Sequence, residues 1–372
     1  MERLKIVHLT SVHSALDPRI FKKECRSLAR AGFDVTVVAP YANDAVEEDV
    51  HIRPVKKYES RFARVTRTVL QVFREAKRLD ADVYHFHDPE LIPVGLLLRT
   101  SGKKVVYDIH EDLPKDILVK DYLPRWSRPL ISWVADRVER AACRNLSALV
   151  SVTPSIAERL HSANHRIIIL YNYPYANELA DCGSWEKRRM AATYVGTVSP
   201  QRGIAEMVLA MGLLADSYGA TLEIAGDCMP EEVKSLRGWE RVHFYGALDQ
   251  PTTYRLLQSV RIGVVCEHPV PSFLEAVPVK LFEYMGAALP VIASDFPLWR
   301  EMLQGVDCAI FVDPLNAQEI ADAMEYLLSH PRVAEEMGRR GQSAVMERFN
   351  WTTQFPKLVG LYSELAGQPC AV

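Results

Sequence analysis

Short apolar runs alternate along the whole chain with stretches in which apolar positions recur every three or four residues. The runs 4–11 (LKIVHLTS), 34–39, 83–88, 104–109, 147–152 and 166–170 read as strands. Several are almost continuously apolar, as expected for strands covered on both faces of a parallel sheet. Helical periodicity marks 17–31, 61–79, 90–99, 128–144 and 154–162 between them. Strand and helix in turn predict an α/β, doubly wound, Rossmann-like domain over 1–172. Residues 173–190 (YPYANELADCGSWEKRRM) break the rhythm with Pro, Asn, Gly and charge, and read as a linker. The alternation restarts with strands at 192–197, 221–226, 241–245, 261–266, 290–293 and 308–312. Helical stretches at 317–329, 332–347 and 352–366 close the chain. The expectation is two Rossmann-like domains facing across a cleft, 1–172 and 191–351, with a terminal helix over 352–372 packing back on the first.

Composition narrows the class without naming a function. A chain of 372 residues with 48% apolar side chains can fill two cores. No repeat or low-complexity tract argues for disorder. Residues 1–172 carry 28 Lys and Arg against 22 Asp and Glu, so the first half is basic although the whole chain has a net charge of −3. That asymmetry suits an anionic partner or reflects ordinary surface variation. The seven cysteines form no C-x-x-C pair, which points away from a disulfide framework or structural zinc and towards a reducing compartment. No signal-peptide core or apolar run of membrane-spanning length stands out, so a cytoplasmic protein, with room for peripheral membrane contact, is expected.

Candidate chemistry concentrates in FLEAVPVKLFEYMGAALPVIASD, 273–295. Glu275 and Glu283 have seven residues between them, after the strand RIGVVCEH and before the strand PVIAS. Pro278 is read as opening a helix over 279–288. A loop feeding a helix aims free backbone N–H groups at an anion. Glu283 can accept two hydrogen bonds from a ribose diol, and Glu275 can reach hydroxyls beyond the phosphates. A second strand–Gly–loop–helix segment, YVGTVSPQRGIAEM, places Gly196, Thr197, Arg202 and Gly203 where a phosphate can be cradled. Each glutamate and cation can instead be an ordinary solvated helix charge.

The paired glutamates, the following helix and the run to Pro-Val-Ile-Ala-Ser resemble the donor-site signature of retaining family-4 glycosyltransferases of the two-domain B type. The form K-L-F-E-Y-M is similar to enzymes of bacterial surface-polysaccharide assembly. The resemblance implies transfer of a sugar from a nucleotide-sugar donor, by default a UDP-sugar, to a saccharide or lipid-linked acceptor, with no metal and no other cofactor. Donor contacts would come from Gly196, Thr197, Arg202, Gly203, Val277, Val279, Lys280 and Glu283. Catalytic roles would fall to Glu275 and to His110, the strand-end histidine of KVVYDIHEDLP. Thr197 stands where the family has Arg, so Lys280 is expected to supply the missing cation. The first βα turn, TSVHSALDPRIF, lacks the family's adjacent glycines, and Arg19 is expected to bind phosphate by its side chain instead. His87 and Glu111 are further acceptor-side candidates. His85, His87 and Asp88 share a strand end, but two imidazoles without a distal ligand do not suggest a metal. Asp80-Ala81-Asp82 lies before its strand and reads as a solvated turn. Phe349-Asn350-Trp351 and the terminal helix complete the resemblance.

The stretches 61–79 and 122–140 are basic and amphipathic, the latter bearing Trp126 and Trp133. Both are expected to pack their apolar faces on the sheet, the alternative being contact with an anionic membrane. Nothing resembles a nucleic-acid-binding module. Two other functions remain open: a UDP-sugar 2-epimerase of the same architecture, and a catalytically silent nucleotide-sugar-binding scaffold.

Overall fold

The computed structural model describes residues 3–120 and 122–367. Two compact units divide the chain, one ending at Asn172 and resuming at Gln354, the other running Tyr173–Thr353.

The first unit is built on a sheet of β1 (Lys5–Leu9), β2 (Asp34–Pro40), β3 (Ala45–Glu47), β4 (Val50–Val55), β5 (Val83–Phe86), β6 (Lys104–Ile109), β7 (Ala148–Ser151) and β8 (Ile167–Ile169). Its order is β3-β4-β2-β1-β5-β6-β7-β8. All pairings are parallel except β3 with β4. The hairpin β3–β4 is absent from the sequence reading, because VHIRPV holds a proline and alternates with charge. Between β1 and β2 the backbone forms a π-helical stretch, Pro18–Cys25, which continues as an α-helix to Arg30. Asp17 caps it, its Oδ1 accepting from the amides of Arg19 at 2.8 Å and Ile20 at 3.0 Å. The closing helix Trp351–Ala366 contributes Tyr362, fully buried, to this unit.

The second unit carries β9 (Ala191–Val195), β10 (Thr221–Ala225), β11 (Val242–Phe244), β12 (Ile262–Val265), β13 (Val291–Ser294) and β14 (Ala309–Val312). They form a wholly parallel sheet in the order β11-β10-β9-β12-β13-β14. The reversal of strand order between β9 and β12 is the switch point at which open α/β sheets bind ligands. The chain leaving the carboxyl ends of these two strands, 196–203 and 266–283, carries Gly196, Thr197, Arg202, Gly203, Glu275, Lys280 and Glu283. The stretch 173–190 holds only short turns, yet it is packed: Arg188 is buried and donates to the carbonyls of Ala287 at 2.9 Å and Ala288 at 3.3 Å. The six described cysteines are free.

Candidate functional site

In the second unit the site is organised by a carboxylate that the sequence reading passed over. Glu267 follows β12 and its side chain is fully buried. Its Oε1 receives the Lys280 ammonium at 3.3 Å and also pairs with the Arg202 guanidinium. The side chain of Arg202 is further held by stacking on Phe273, 4.2 Å from the ring centre. Lys280 donates to the Tyr194 hydroxyl at 3.0 Å and lies 4.5 Å from the centre of that ring. Two cations, one from the turn after β9 and one from the helix after β12, thus meet on one anion at the strand ends.

Two glycines make this convergence sterically possible. Gly196 has φ of +136°, and a Cβ there would stand 3.2 Å from the Lys280 Nζ. Gly203 has φ of +72°, and a Cβ there would stand 1.9 Å from the Cys266 carbonyl oxygen. Only glycine lets the 196–203 loop lie this close to the chain leaving β12. An amide of that chain, His268 N–H, donates to the Gln201 carbonyl at 2.9 Å and ties the two loops together.

Burial works against the charge on Lys280, while Glu267 supports it and Arg202 opposes it, so its ammonium loses its proton at about 8. That makes Lys280 responsive to an added anion within the neutral range. The helix carrying it runs Val279–Gly286, with Pro278 at the cap rather than in the first turn. Buried Tyr284 fixes this helix to β9, its hydroxyl oxygen accepting from the Val195 amide at 2.8 Å. The loop before it is pinned by Trp299, whose indole N–H donates to the Ala276 carbonyl at 2.8 Å. Glu275, Val277, Val279 and Glu283 are all half-buried along this segment, and Thr197 is exposed.

In the first unit, Asp108 on β6 is the organising group, and it too was missed as a site residue. Its carboxylate accepts from Arg19 Nε at 3.0 Å and Nη2 at 2.9 Å, from His110 Nε2 at 2.9 Å and from His87 Nδ1 at 3.2 Å. Burial opposes ionisation of Asp108, but Arg19 and His110 outweigh it and hold its carboxyl well below the usual range. These partners fix the tautomers: His87 and His110 both turn N–H groups to Asp108, and His8 Nδ1 donates to His87 Nε2 at 3.0 Å. The donor arrangement leaves His110 Nδ1 as the nitrogen outside this network, on a side chain 18% exposed.

This geometry corrects two expectations. Arg19 does not offer its side chain to phosphate. It is buried, bidentate on Asp108, near Glu24 at 3.2 Å, and donates Nη1 to the Leu170 carbonyl at 3.2 Å. His87 is likewise buried, and burial pushes its imidazolium down to about 4, so it is a neutral support for the Asp108–His110 pair rather than a contact for acceptor. Glu111, by contrast, is exposed beside His110.

The two-imidazole count was also too low. The parallel register sets His8 opposite His85, and the π-helical stretch adds Glu24, so three imidazoles and a carboxyl cluster on one face of the sheet. One ligand-type atom from each of His8, Glu24, His85 and His87 lies within 4.8 Å of the others, and His8 Nε2, His85 Nε2 and both Glu24 carboxyl oxygens are buried without a hydrogen-bond partner among the described residues. His8 reaches His87 at 3.0 Å, and the Tyr362 hydroxyl reaches His85 Nδ1 at 2.5 Å. Burial keeps His8 and His85 neutral and pushes Glu24 up, towards its protonated form.

The glycine-poor first turn is held by side chains. Asp88 Oδ2 accepts from Thr10 Oγ1 at 2.8 Å and from the Ser11 amide at 2.6 Å. Its Oδ1 lies 3.4 Å from His13 Nε2, and the His13 ring sits 5.3 Å from that of His110. The pattern T-S-x-H next to a strand end was the signal for His13. Asp80 and Asp82 lie elsewhere, Asp80 paired with Lys103 at 2.5 Å and Asp82 accepting from the Lys5 amide at 2.8 Å.

Both units match known families. Residues 19–173 fit the model of Glycosyltransferase Family 4, and residues 189–330 fit that of Glycosyl transferases group 1. The chain is a glycosyltransferase. Among curated relatives, an uncharacterized glycosyltransferase, MJ1607, of Methanocaldococcus jannaschii is 22% identical over 59% of this chain and 60% of its own length. The alpha-D-kanosaminyltransferase of Streptomyces kanamyceticus is 22% identical over 80% of this chain and 82% of its own. Among solved structures, Anabaena Alr3699/HepE in complex with UDP and glucose superposes with a TM-score of 0.73 at 14% identity, covering 97% of this chain and 100% of that one. In this glycosyltransferase the family-4 match begins at Arg19, within the segment that the Asp108 network holds.

Proposed function

We propose that this glycosyltransferase moves a sugar from a UDP-sugar to a hydroxyl of a saccharide or lipid-linked saccharide, with retention at the anomeric carbon, in bacterial glycoconjugate synthesis. The observation that carries the reading is the meeting of Arg202 and Lys280 on buried Glu267, beside the N-terminus of the helix bearing Glu283. In the proposed cycle the donor diphosphate lies over these two cations. Lys280 thereby replaces the arginine that Thr197 lacks. Glu283 accepts from the ribose diol, and Val277 and Val279 line its approach. Glu275 holds hydroxyls of the transferred sugar, and His110 engages another through Nδ1.

The bond from the anomeric carbon to the diphosphate oxygen breaks first. Positive charge then grows on the sugar and negative charge on the phosphate, which Arg202, Lys280 and the helix amides stabilise. The acceptor oxygen forms its bond on the same face, and its proton passes to the leaving phosphate oxygen. No general base is assigned, and no metal or other cofactor takes part. The free cysteines support action in a reducing compartment, the cytoplasm.

The test is a thermal-shift screen of UDP-, GDP- and ADP-sugars with EDTA present, on the native chain and on Glu283→Ala. A ligand bound only by the folded state raises the melting temperature. A shift with the UDP-sugar that disappears in the variant is expected. A shift only when a divalent ion is restored, or none at millimolar donor, would overturn the reading. Conversion of a UDP-sugar to its epimer without acceptor would replace transfer with epimerisation.

A further inference from the structure

The helix Arg128–Cys143 faces the opposite way from the sequence expectation. Its buried positions are Ser132, Glu139, Ala142 and Cys143. Leu130, Trp133, Val134 and Val138 are exposed, at the three- and four-residue spacing of a single helix face. Just before this helix in the chain, Trp126, Tyr122, Val119 and Leu118 are exposed as well. Trp126 is 83% exposed and Trp133 58%.

Polar contacts hold this orientation. Arg159 Nη2 reaches Glu139 at 2.7 Å, and Arg159 Nη1 donates to Asp136 at 2.9 Å. The Ser132 hydroxyl donates to the Pro114 carbonyl at 2.8 Å. Turning the apolar face inward would expose these groups' partners and strand buried charge. An apolar face kept outward by a polar inner one is therefore a feature of the folded unit, and contiguous surfaces of this kind mark contact sites.

We infer that the face formed by Leu118–Val119, Tyr122, Trp126 and the outer side of Arg128–Cys143 docks on an anionic lipid bilayer. The flanking charge selects that occupant: residues 113–144 hold seven Lys and Arg against four Asp and Glu. Arg125 and Arg137 are exposed among the apolar positions, and the Arg137 guanidinium lies 5.5 Å from the centre of the Trp133 ring. Indole and guanidinium side by side suit the headgroup layer, where ring and charge each find their medium. A second copy meeting this face about a two-fold axis would bring the arginines of both copies together. No helix among the described residues is long and apolar enough to cross a membrane, so the contact is peripheral.

Flotation of the full chain with vesicles tests this without donor or acceptor, so its outcome is independent of the transfer reading. The vesicles are phosphatidylcholine alone, or phosphatidylcholine with 40% phosphatidylglycerol. Binding to the anionic vesicles is expected, with a blue shift in tryptophan emission and loss in high salt. Each basic residue near such a surface contributes about fivefold in partitioning, so Arg125→Glu with Arg137→Glu should weaken binding at least about 25-fold. Trp126→Ala with Trp133→Ala should abolish the emission shift while leaving the melting temperature unchanged, since both side chains are exposed. Arg332→Glu, exposed on the second unit, should behave as the native chain. Failure to float with anionic vesicles at millimolar lipid would overturn the inference. So would unchanged binding by the tryptophan variant, or a dimer in sedimentation equilibrium that the same variant dissociates.

Discussion

Replacing Glu267 by Gln keeps the shape of the residue beneath Arg202 and Lys280 and removes its charge. In the native chain Lys280 titrates at about 8, so roughly three-quarters of it is charged at pH 7.5. The groups acting on it are Glu267 at 3.3 Å, Tyr194 at 3.0 Å, Arg202 on the same carboxylate, and Glu283 on its own helix. Glu267 is the largest of these that favours the ammonium, while burial and Arg202 disfavour it. Loss of a carboxylate at this range lowers a cation's pKa by about one to three units. A donor that binds only charged Lys280 then loses about threefold in affinity at pH 7.5 for one unit, and more than about 200-fold for three. A nucleotide sugar has no phosphate that titrates in this range, so the pH dependence reports the protein. The assay is donor affinity from pH 5.5 to 9.5 for the native chain, Glu267→Gln and Lys280→Gln. Native affinity should be level below about 8 and fall tenfold per unit above it. The Glu267→Gln curve should break at lower pH, and Lys280→Gln should be weak and flat. If Glu267→Gln breaks where the native chain does, or Lys280→Gln keeps the native profile, the argument from Glu267 through Lys280 to the diphosphate fails.

Gly203→Ala puts a methyl 1.9 Å from the Cys266 carbonyl at a φ of +72°, so it should cost at least about 2 kcal/mol in denaturant unfolding and weaken donor binding with it. An unchanged midpoint would mean the loop 196–203 relaxes freely. His110→Ala should lower kcat by on the order of 10²-fold with donor affinity within about threefold, since this half-buried side chain is assigned to the transferring sugar rather than to the nucleotide. An equal loss in donor affinity would move it out of that role. His87 is neutral in the folded state down to about 4, whereas in the unfolded chain it takes a proton near 6.5. The unfolded state then binds the extra proton, so stability falls as pH drops from 6.5 towards 4, by up to about 1.4 kcal/mol per unit from this group. His8 and His85 act in the same direction and Glu24, held towards its protonated form in the folded state, in the opposite one; with three imidazoles against one carboxyl the net change is a loss, and denaturant midpoints level between pH 7 and 4.5 would refute a neutral buried cluster.

The sequence by itself determined the strand–helix rhythm, because continuous apolar runs such as KVVYDI and GVV have no stable place but a sheet covered on both faces. It also marked the donor segment, since Glu275, Lys280 and Glu283 fall within nine residues of one loop and helix. Only the tertiary structure showed that Glu267 lies beneath Arg202 and Lys280, since a lone carboxylate after a strand has no periodic signal. The parallel register of β1, β5 and β6 gathered His8, His87, Asp108 and His110 from positions up to 102 residues apart. That gathering took Arg19 and His87 out of the contact roles their local sequence suggested, because burial beside Asp108 consumes their hydrogen bonds. It was also tertiary packing that turned the helix of Trp133 outward. Amphipathicity fixes that a helix has two faces, but the salt bridge of Glu139 with Arg159 decides which one the core keeps.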